Sequence, residues 1–157
     1  MIELTYRALT DSDHPDVMAA LESWWGGVGG EAGGAQRTAL LQRLFFQHFA
    51  DTSQVVRDDS RLVAFLVGFL SQSRPEEAYI HFVGVDPEYQ GRGVGADLYK
   101  WFFAAARQNG RSTVRAITSV SNTGSQAFHR RLGFTVSDPI ADYDGAGGDR
   151  VTFARIL

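Results

Sequence analysis

Two spacings of apolar residues alternate along this chain, one of period two and one near 3.6. Glu3 to Ala8 alternate apolar and polar side chains as a half-buried strand does, and Asp11-Ser12-Asp13-His14-Pro15 then supplies capping groups and an early proline for a helix to about Trp25. Gly26 to Gly34 interrupts it. A second helix is predicted over Gln36 to Phe49, with Leu40, Leu41, Leu44, Phe45 and His48 spaced to share a face. Gln54 to Arg57 and Arg61 to Ser71 read as a hairpin around Asp58-Asp59-Ser60, and Glu77 to Val85 as a third strand after a turn at Arg74-Pro75. Val94 to Gln108 reads as a helix burying Val94, Leu98, Trp101, Phe102 and Ala105, and Asn109-Gly110 ends it as a left-handed cap. Thr113 to Thr118 follows as a strand. Asn122 or Thr123 caps a helix that reaches Leu132, and strands near Phe134 to Ser137 and Arg150 to Ile156 complete the pattern.

The junction between the third strand and its helix holds the most chemistry. Gln90-Gly91-Arg92-Gly93-Val94-Gly95 places glycine at alternate positions, so no side chain keeps a ligand off the backbone and successive N–H groups can converge on phosphate oxygens. The helix that follows adds its positive dipole end. No Gly-Lys-Ser/Thr follows, which argues against a nucleoside triphosphate P-loop, and Gly-x-Gly-x-Gly does not match the Gly-x-Gly-x-x-Gly of dinucleotide folds. A tight strand-to-helix turn without a ligand is the alternative.

This segment resembles the (Arg/Gln)-x-x-Gly-x-Gly/Ala pyrophosphate loop of the GNAT superfamily of N-acetyltransferases. Two further features strengthen the resemblance: Val85-Asp86-Pro87 before the loop, and Asn122-Thr123-Gly124-Ser125-Gln126-Ala127-Phe128-His129-Arg130-Arg131-Leu132-Gly133-Phe134 after it, similar to the family's Asn-x-x-(Ala/Ser)-x-x-(Phe/Leu)-Tyr-x-x-x-Gly-Phe segment. The resemblance covers about Ala78 to Phe134. It implies a mixed α/β (α+β) fold: a predominantly antiparallel central sheet splayed between strands 4 and 5, flanked by about four helices. It also implies acetyl-CoA as acyl donor, its pyrophosphate held by Gln90, Gly91, Arg92, Gly93, Val94 and Gly95, and its pantetheine arm lying in the splay like an added strand.

Composition narrows the partners. The 157 residues suit a single domain, and 44% hydrophobic content with 21% charged residues is ordinary for a globular protein. No apolar run approaches the eighteen or so residues of a membrane span, and Met1 to Arg7 does not read as a signal peptide, so cytoplasmic residence and no membrane partner are expected. A net charge of −3 argues against a nucleic-acid surface. The absence of cysteine removes disulfides, thiolate metal sites and a covalent acyl-cysteine. No metal is expected.

Acetyl transfer to an amine requires an oxyanion donor, a route for the ammonium proton and a proton for the leaving thiolate. By resemblance, the backbone N–H of Val83 or Val85 supplies the first. Gly84 between them marks either a bulge or a crowded core strand. An alkylamine of pKa about 10.4 is only about one part in a thousand neutral near pH 7.4, so a base helps. His81 is the candidate, because alternation puts Tyr79, His81 and Val83 on one face; the alternative is a hydrogen-bonded structural histidine. His129 stands where most relatives carry a tyrosine that protonates the thiolate. It serves as the acid, contacts the cofactor, or sits on the helix surface. Tyr99 and Tyr143 are reserve donors. Asn122 and Phe128 would contact the pantetheine by resemblance, or else cap the helix and pack in the core.

The acceptor is an amine of a small molecule or a peptide. Trp24, Trp25, Phe45, Phe46, His48 and the loop Asp142 to Asp149 come from segments that line the acceptor site in this family, or form ordinary core and turn. The family also makes a homodimer possible. A non-catalytic acyl-CoA-binding or sensing domain is the alternative function.

Overall fold

A computed structural model describes residues 3–157 of the chain. Seven strands, β1 (Leu4–Ala8), β2 (Gln54–Asp58), β3 (Arg61–Leu70), β4 (Glu77–Val85), β5 (Thr113–Ser119), β6 (Thr135–Val136) and β7 (Arg150–Ile156), form a sheet in the order β1-β2-β3-β4-β5-β7-β6. Helices α1 (His14–Ser23), α2 (Gly30–Ala39), α4 (Val94–Gln108) and α5 (Thr123–Arg131) have nine residues or more, and α3 (Leu44–His48) is a five-residue turn of helix. The pairings of β1 with β2, β2 with β3, β5 with β7 and β6 with β7 are antiparallel. β4 and β5 run parallel, and α4 is the crossover that such a pair requires. The mixed, mostly antiparallel architecture expected from the sequence is the one observed.

The parallel pairing is short. It covers Glu77↔Thr113 to Tyr79↔Arg115, three residue pairs, whereas β5 stays paired with β7 along seven, Thr113↔Ile156 to Ser119↔Arg150. β4 continues six residues beyond Tyr79 without that partner.

The chain packs as two compact units, one comprising residues up to Phe69 with Phe82–Phe102, the other Leu70–His81 with Phe103–Leu157. In the first, Leu9, Val17, Leu21, Leu41, Phe46, Val55, Phe65 and Val67 make a core against which Trp24, Trp25 and Phe82 pack. Asp13, 1% exposed, joins three elements: its carboxylate accepts from Arg7 at 2.7 Å, Arg57 at 2.8 Å and the Thr10 N–H at 2.8 Å. Burial raises its pKa, and these three donors outweigh burial and hold the carboxyl well below the usual carboxylate range. In the second unit, Val114 and Ala116 of β5, Val151 and Phe153 of β7, Phe134, and Phe103 and Ala106 of α4 form the core.

Two local expectations need correction. The helix predicted over Gln36 to Phe49 is broken: α2 begins inside the glycine-rich segment, at Gly30, ends at Ala39, and α3 starts afresh at Leu44. Tightened bonds from Leu40 N–H to Arg37 and Leu41 N–H to Thr38 close the first helix, and the Arg43 guanidinium is drawn to Asp11 at 2.8 Å. Leu41 alone of its predicted face is therefore sealed in the core, while Leu40 and Leu44 lie exposed. In α4 the buried stripe is Val94, Leu98, Tyr99, Phe102, Phe103 and Ala106; Trp101 and Ala105 are only half-buried. No helix among the described residues is long and apolar enough to cross a membrane.

Candidate active site

The segment after β4 is built by its own caps. Asp86, almost fully buried, accepts the Glu88 N–H on Oδ1 at 2.9 Å and the Arg61 guanidinium on Oδ2 at 2.7 Å, while its own N–H donates to Val63 at 2.8 Å. Arg61 also reaches Glu88. Pro87 opens the 3-10 turn to Tyr89 that this cap starts, and Gln90 returns to extended backbone. Gly91 and Gly93 then take φ of +76° and +84°, where L side chains are strained. A Cβ on either would meet nothing within 4 Å, so open space lies against the backbone here.

Gly93 is also the residue from which α4 starts, since its carbonyl accepts the Asp97 N–H at 2.9 Å. The first N–H groups of α4, from Val94 onward, have no partner within the helix, and they carry its dipole. Val94 is sealed under the loop, Gly95 is half-buried, and Gln90 and Arg92 are exposed. Gln90 Nε2 donates to the Val85 carbonyl at 3.3 Å. The arrangement fits a phosphate-bearing group: oriented amides, a helix N-terminus and room for the ligand on the same few residues.

On β4, Ala78, Ile80 and Gly84 face the core, and Tyr79, His81, Val83 and Val85 take the other side of the pleat, half-buried. Gly84 is a close-approach glycine. A Cβ there would stand 2.7 Å from Phe65 and 3.2 Å from Trp25, which is the crowded-strand reading of this residue. Within the second unit, burial pushes the Tyr79 hydroxyl up to about 12, with Tyr143 and Asp144 adding to the rise, so it stays protonated.

The downstream block is arranged around α5. Asn122 caps it, Oδ1 accepting the Ser125 N–H at 3.1 Å, and Nδ2 donates to Thr118 at 3.3 Å. His129, 5% exposed, stacks on Phe153 with ring centroids 3.8 Å apart, meets Phe134 edge-on at 5.0 Å, and lies 5.7 Å from Phe128. Its Nδ1 is 2.7 Å from the Ser125 carbonyl. Burial lowers its pKa, against the pull of that carbonyl. The surface alternative for His129 is thereby removed. Tyr99 is sealed in the core, and burial raises its pKa, while Tyr143 is exposed.

The aromatic segment behaves mostly as core. Phe46 is 1% exposed with His14 edge-on to it; Trp24 stacks on Phe65 at 5.9 Å and Trp25 meets Phe82 at 5.8 Å. Phe45 is half-buried and His48 exposed. The sequence reading missed Tyr89, which is buried beside the loop with its hydroxyl on Asp58 at 2.6 Å. Its signal was the Asp-Pro-Glu-Tyr capping pattern just before the glycines. No cluster of potential metal ligands occurs among the described residues.

Residues 15–134 match the model of the Acetyltransferase (GNAT) family. The chain belongs to this family. An L-2,4-diaminobutyric acid acetyltransferase of Shouchella clausii is 30% identical over 86 residues, 55% of this chain and 48% of that protein. The N-alpha-acetyltransferase RimI of Mycobacterium tuberculosis is 36% identical over 96 residues, 57% of this chain and 59% of that protein. The match spans 26% to 48% of the length of the first curated relatives. Among solved structures, the diaminobutyrate acetyltransferase EctA of Paenibacillus lautus, in complex with L-2,4-diaminobutyric acid and coenzyme A, superposes with a TM-score of 0.74 at 18% identity, covering 98% of this chain and 95% of that one. The likeness is one of GNAT fold.

Proposed function

We propose that this GNAT protein, working as one domain over residues 1–157, is an acetyl-CoA-dependent N-acetyltransferase acting on a primary amine of a small molecule or peptide. The observation that carries the reading is the pair Gly91 and Gly93, held at positive φ with open space before them at the N-terminus of α4. Acetyl-CoA supplies an acyl thioester whose acetyl carbon the amine takes while the thiolate leaves. The relatives named for diaminobutyrate and N-alpha acetylation, and the solved EctA complex with coenzyme A, support this donor and this acceptor class.

Each step then falls to particular residues. The amides of Gly91 to Gly95 bind pyrophosphate. The edge of β4 beyond Tyr79, left without a strand partner on the β5 side, receives the pantetheine arm, and the N–H of Val83 or Val85 stabilises charge on the carbonyl oxygen. His81, on the same side of β4 as Val83, takes the proton from the acceptor ammonium, directly or through water. His129 holds the aromatic packing around α5, and burial lowers its pKa, which disfavours the imidazolium that would protonate a thiolate. The thiolate, of ordinary pKa about 8.5, takes its proton from Tyr143 or from water.

Because the residue at the family's tyrosine position is a buried histidine, a non-catalytic acyl-CoA-binding domain is the second reading. Coenzyme A release measured across diamines, polyamines, amino acids and lysine peptides separates the two. Release above the hydrolysis background with any amine supports the enzyme; tight binding with no release supports the sensor.

A further inference from the structure

Arg92 sits between the two left-handed glycines, is exposed, and forms no salt bridge among the described residues. Its guanidinium is nonetheless held, with Cζ 5.0 Å from the centre of the Tyr89 ring. Tyr89 is itself immobilised from three sides. Its N–H donates to Asp86 at 2.8 Å, its hydroxyl donates to Asp58 of β2 at 2.6 Å, and the Arg61 guanidinium lies 5.2 Å from its ring. The two arginines differ in one respect. Arg61 is neutralised by Asp86 and Glu88, whereas Arg92 keeps an uncompensated charge inside the loop.

A free arginine on a surface samples many rotamers, and ordering it on a ligand costs affinity. A guanidinium laid on a fixed aromatic ring has given up much of that freedom beforehand, and its planar face suits ring stacking as an ammonium does not. We propose that Tyr89 is a positioning residue for donor binding: anchored through Asp58 and Asp86, its ring presets Arg92 to meet a phosphate group of the acyl donor. The proposal rests on the reading of the loop as the acetyl-CoA site, and adds to the backbone cradle a side-chain contact tuned by a residue that never touches the ligand. Glu88 and Asp97, the carboxylates nearest in sequence to the loop, do not cancel Arg92: the first is on Arg61 and the second accepts from Tyr6.

A double-mutant cycle tests it, with coenzyme A as the probe and calorimetric Kd as the readout. Arg92→Gln is expected to bind about tenfold weaker at low salt, an effect that shrinks as salt screens the contact. Tyr89→Met, which keeps a long apolar side chain of somewhat smaller volume and deletes the ring face, is expected to bind about three- to fivefold weaker. In the Arg92→Gln background the same change should add less than about twofold, because Tyr89 acts through Arg92. KM for the donor should follow Kd in each variant while kcat holds. Should Tyr89→Met not fold, Arg92→Lys carries the test: it retains the charge without the stacked plane and should bind about threefold weaker. Dephospho-coenzyme A locates the contact. Loss of the Arg92 effect with this ligand assigns it to the 3′-phosphate, and retention assigns it to the pyrophosphate. Multiplicative effects in the double variant, a salt-independent Arg92 effect, or wild-type affinity in Arg92→Gln would overturn the proposal. Wild-type protein that fails to bind coenzyme A at all would instead overturn the donor reading beneath it.

Discussion

The imidazole of His129 lies flat on the ring of Phe153, their centroids 3.8 Å and their planes 5° apart. Its folded-state pKa is lowered, first by burial, with the Ser125 carbonyl opposing. A histidine whose pKa is lower in the fold than its unfolded value of about 6.5 binds its proton more readily when unfolded. The stability it supports is complete above that pH and is lost as pH falls. The wild-type melting temperature should therefore drop between about pH 7.5 and about pH 5.5 by more than that of His129→Phe, which keeps the stack and cannot titrate. Equal slopes in the two proteins would contradict the assignment.

The close approach at Gly84 sets a second expectation. A methyl group 2.7 Å from Phe65, a ring with no exposed surface, forces a shift in a packed core. Gly84→Ala should cost about 1–3 kcal/mol in urea unfolding, and Phe65→Leu combined with it should recover part of that loss. Full additivity of the two costs would show that the crowding is not between these residues.

These two residues show what the sequence could and could not disclose. β4 and α4 are legible to their ends, because Pro87, the glycines and Asn109-Gly110 punctuate them with residues whose backbone preferences are strong. Gly84 was ambiguous between bulge and crowding, since the partner that decides it, Phe65, lies nineteen positions away on β3. The segment from Gly26 to His48 misled for a related reason. Its helices are set in part by Arg43 pairing with Asp11 and by Gly34 facing α1, where a Cβ would stand 3.8 Å from Glu22, relationships that helical periodicity does not encode. The glycine loop after β4 was readable as a motif because backbone that needs positive φ demands glycine. His129 was not, because its neighbours Phe134 and Phe153 come from other elements.

His81 on β4 carries the catalytic expectation. His81→Gln should lower turnover about a hundredfold at saturating donor, within the range for a positioned base, while leaving coenzyme A affinity unchanged. The rise of rate with pH should flatten in the variant. Wild-type turnover with an unaltered profile would mean that the amine loses its proton to solvent before it binds.

The central claim is that the loop from Gln90 to Gly95 binds acetyl-CoA through its backbone. Gly93→Val tests it most directly, because a Cβ there meets no protein atom within 4 Å and projects into open space, so the main cost to the fold is backbone strain at positive φ, on the order of 1–3 kcal/mol. Calorimetric titration of acetyl-CoA into wild-type and Gly93→Val protein, both confirmed as folded, should show binding to the first and a loss of well over tenfold in the second. Equal affinity in the two folded proteins would contradict the account.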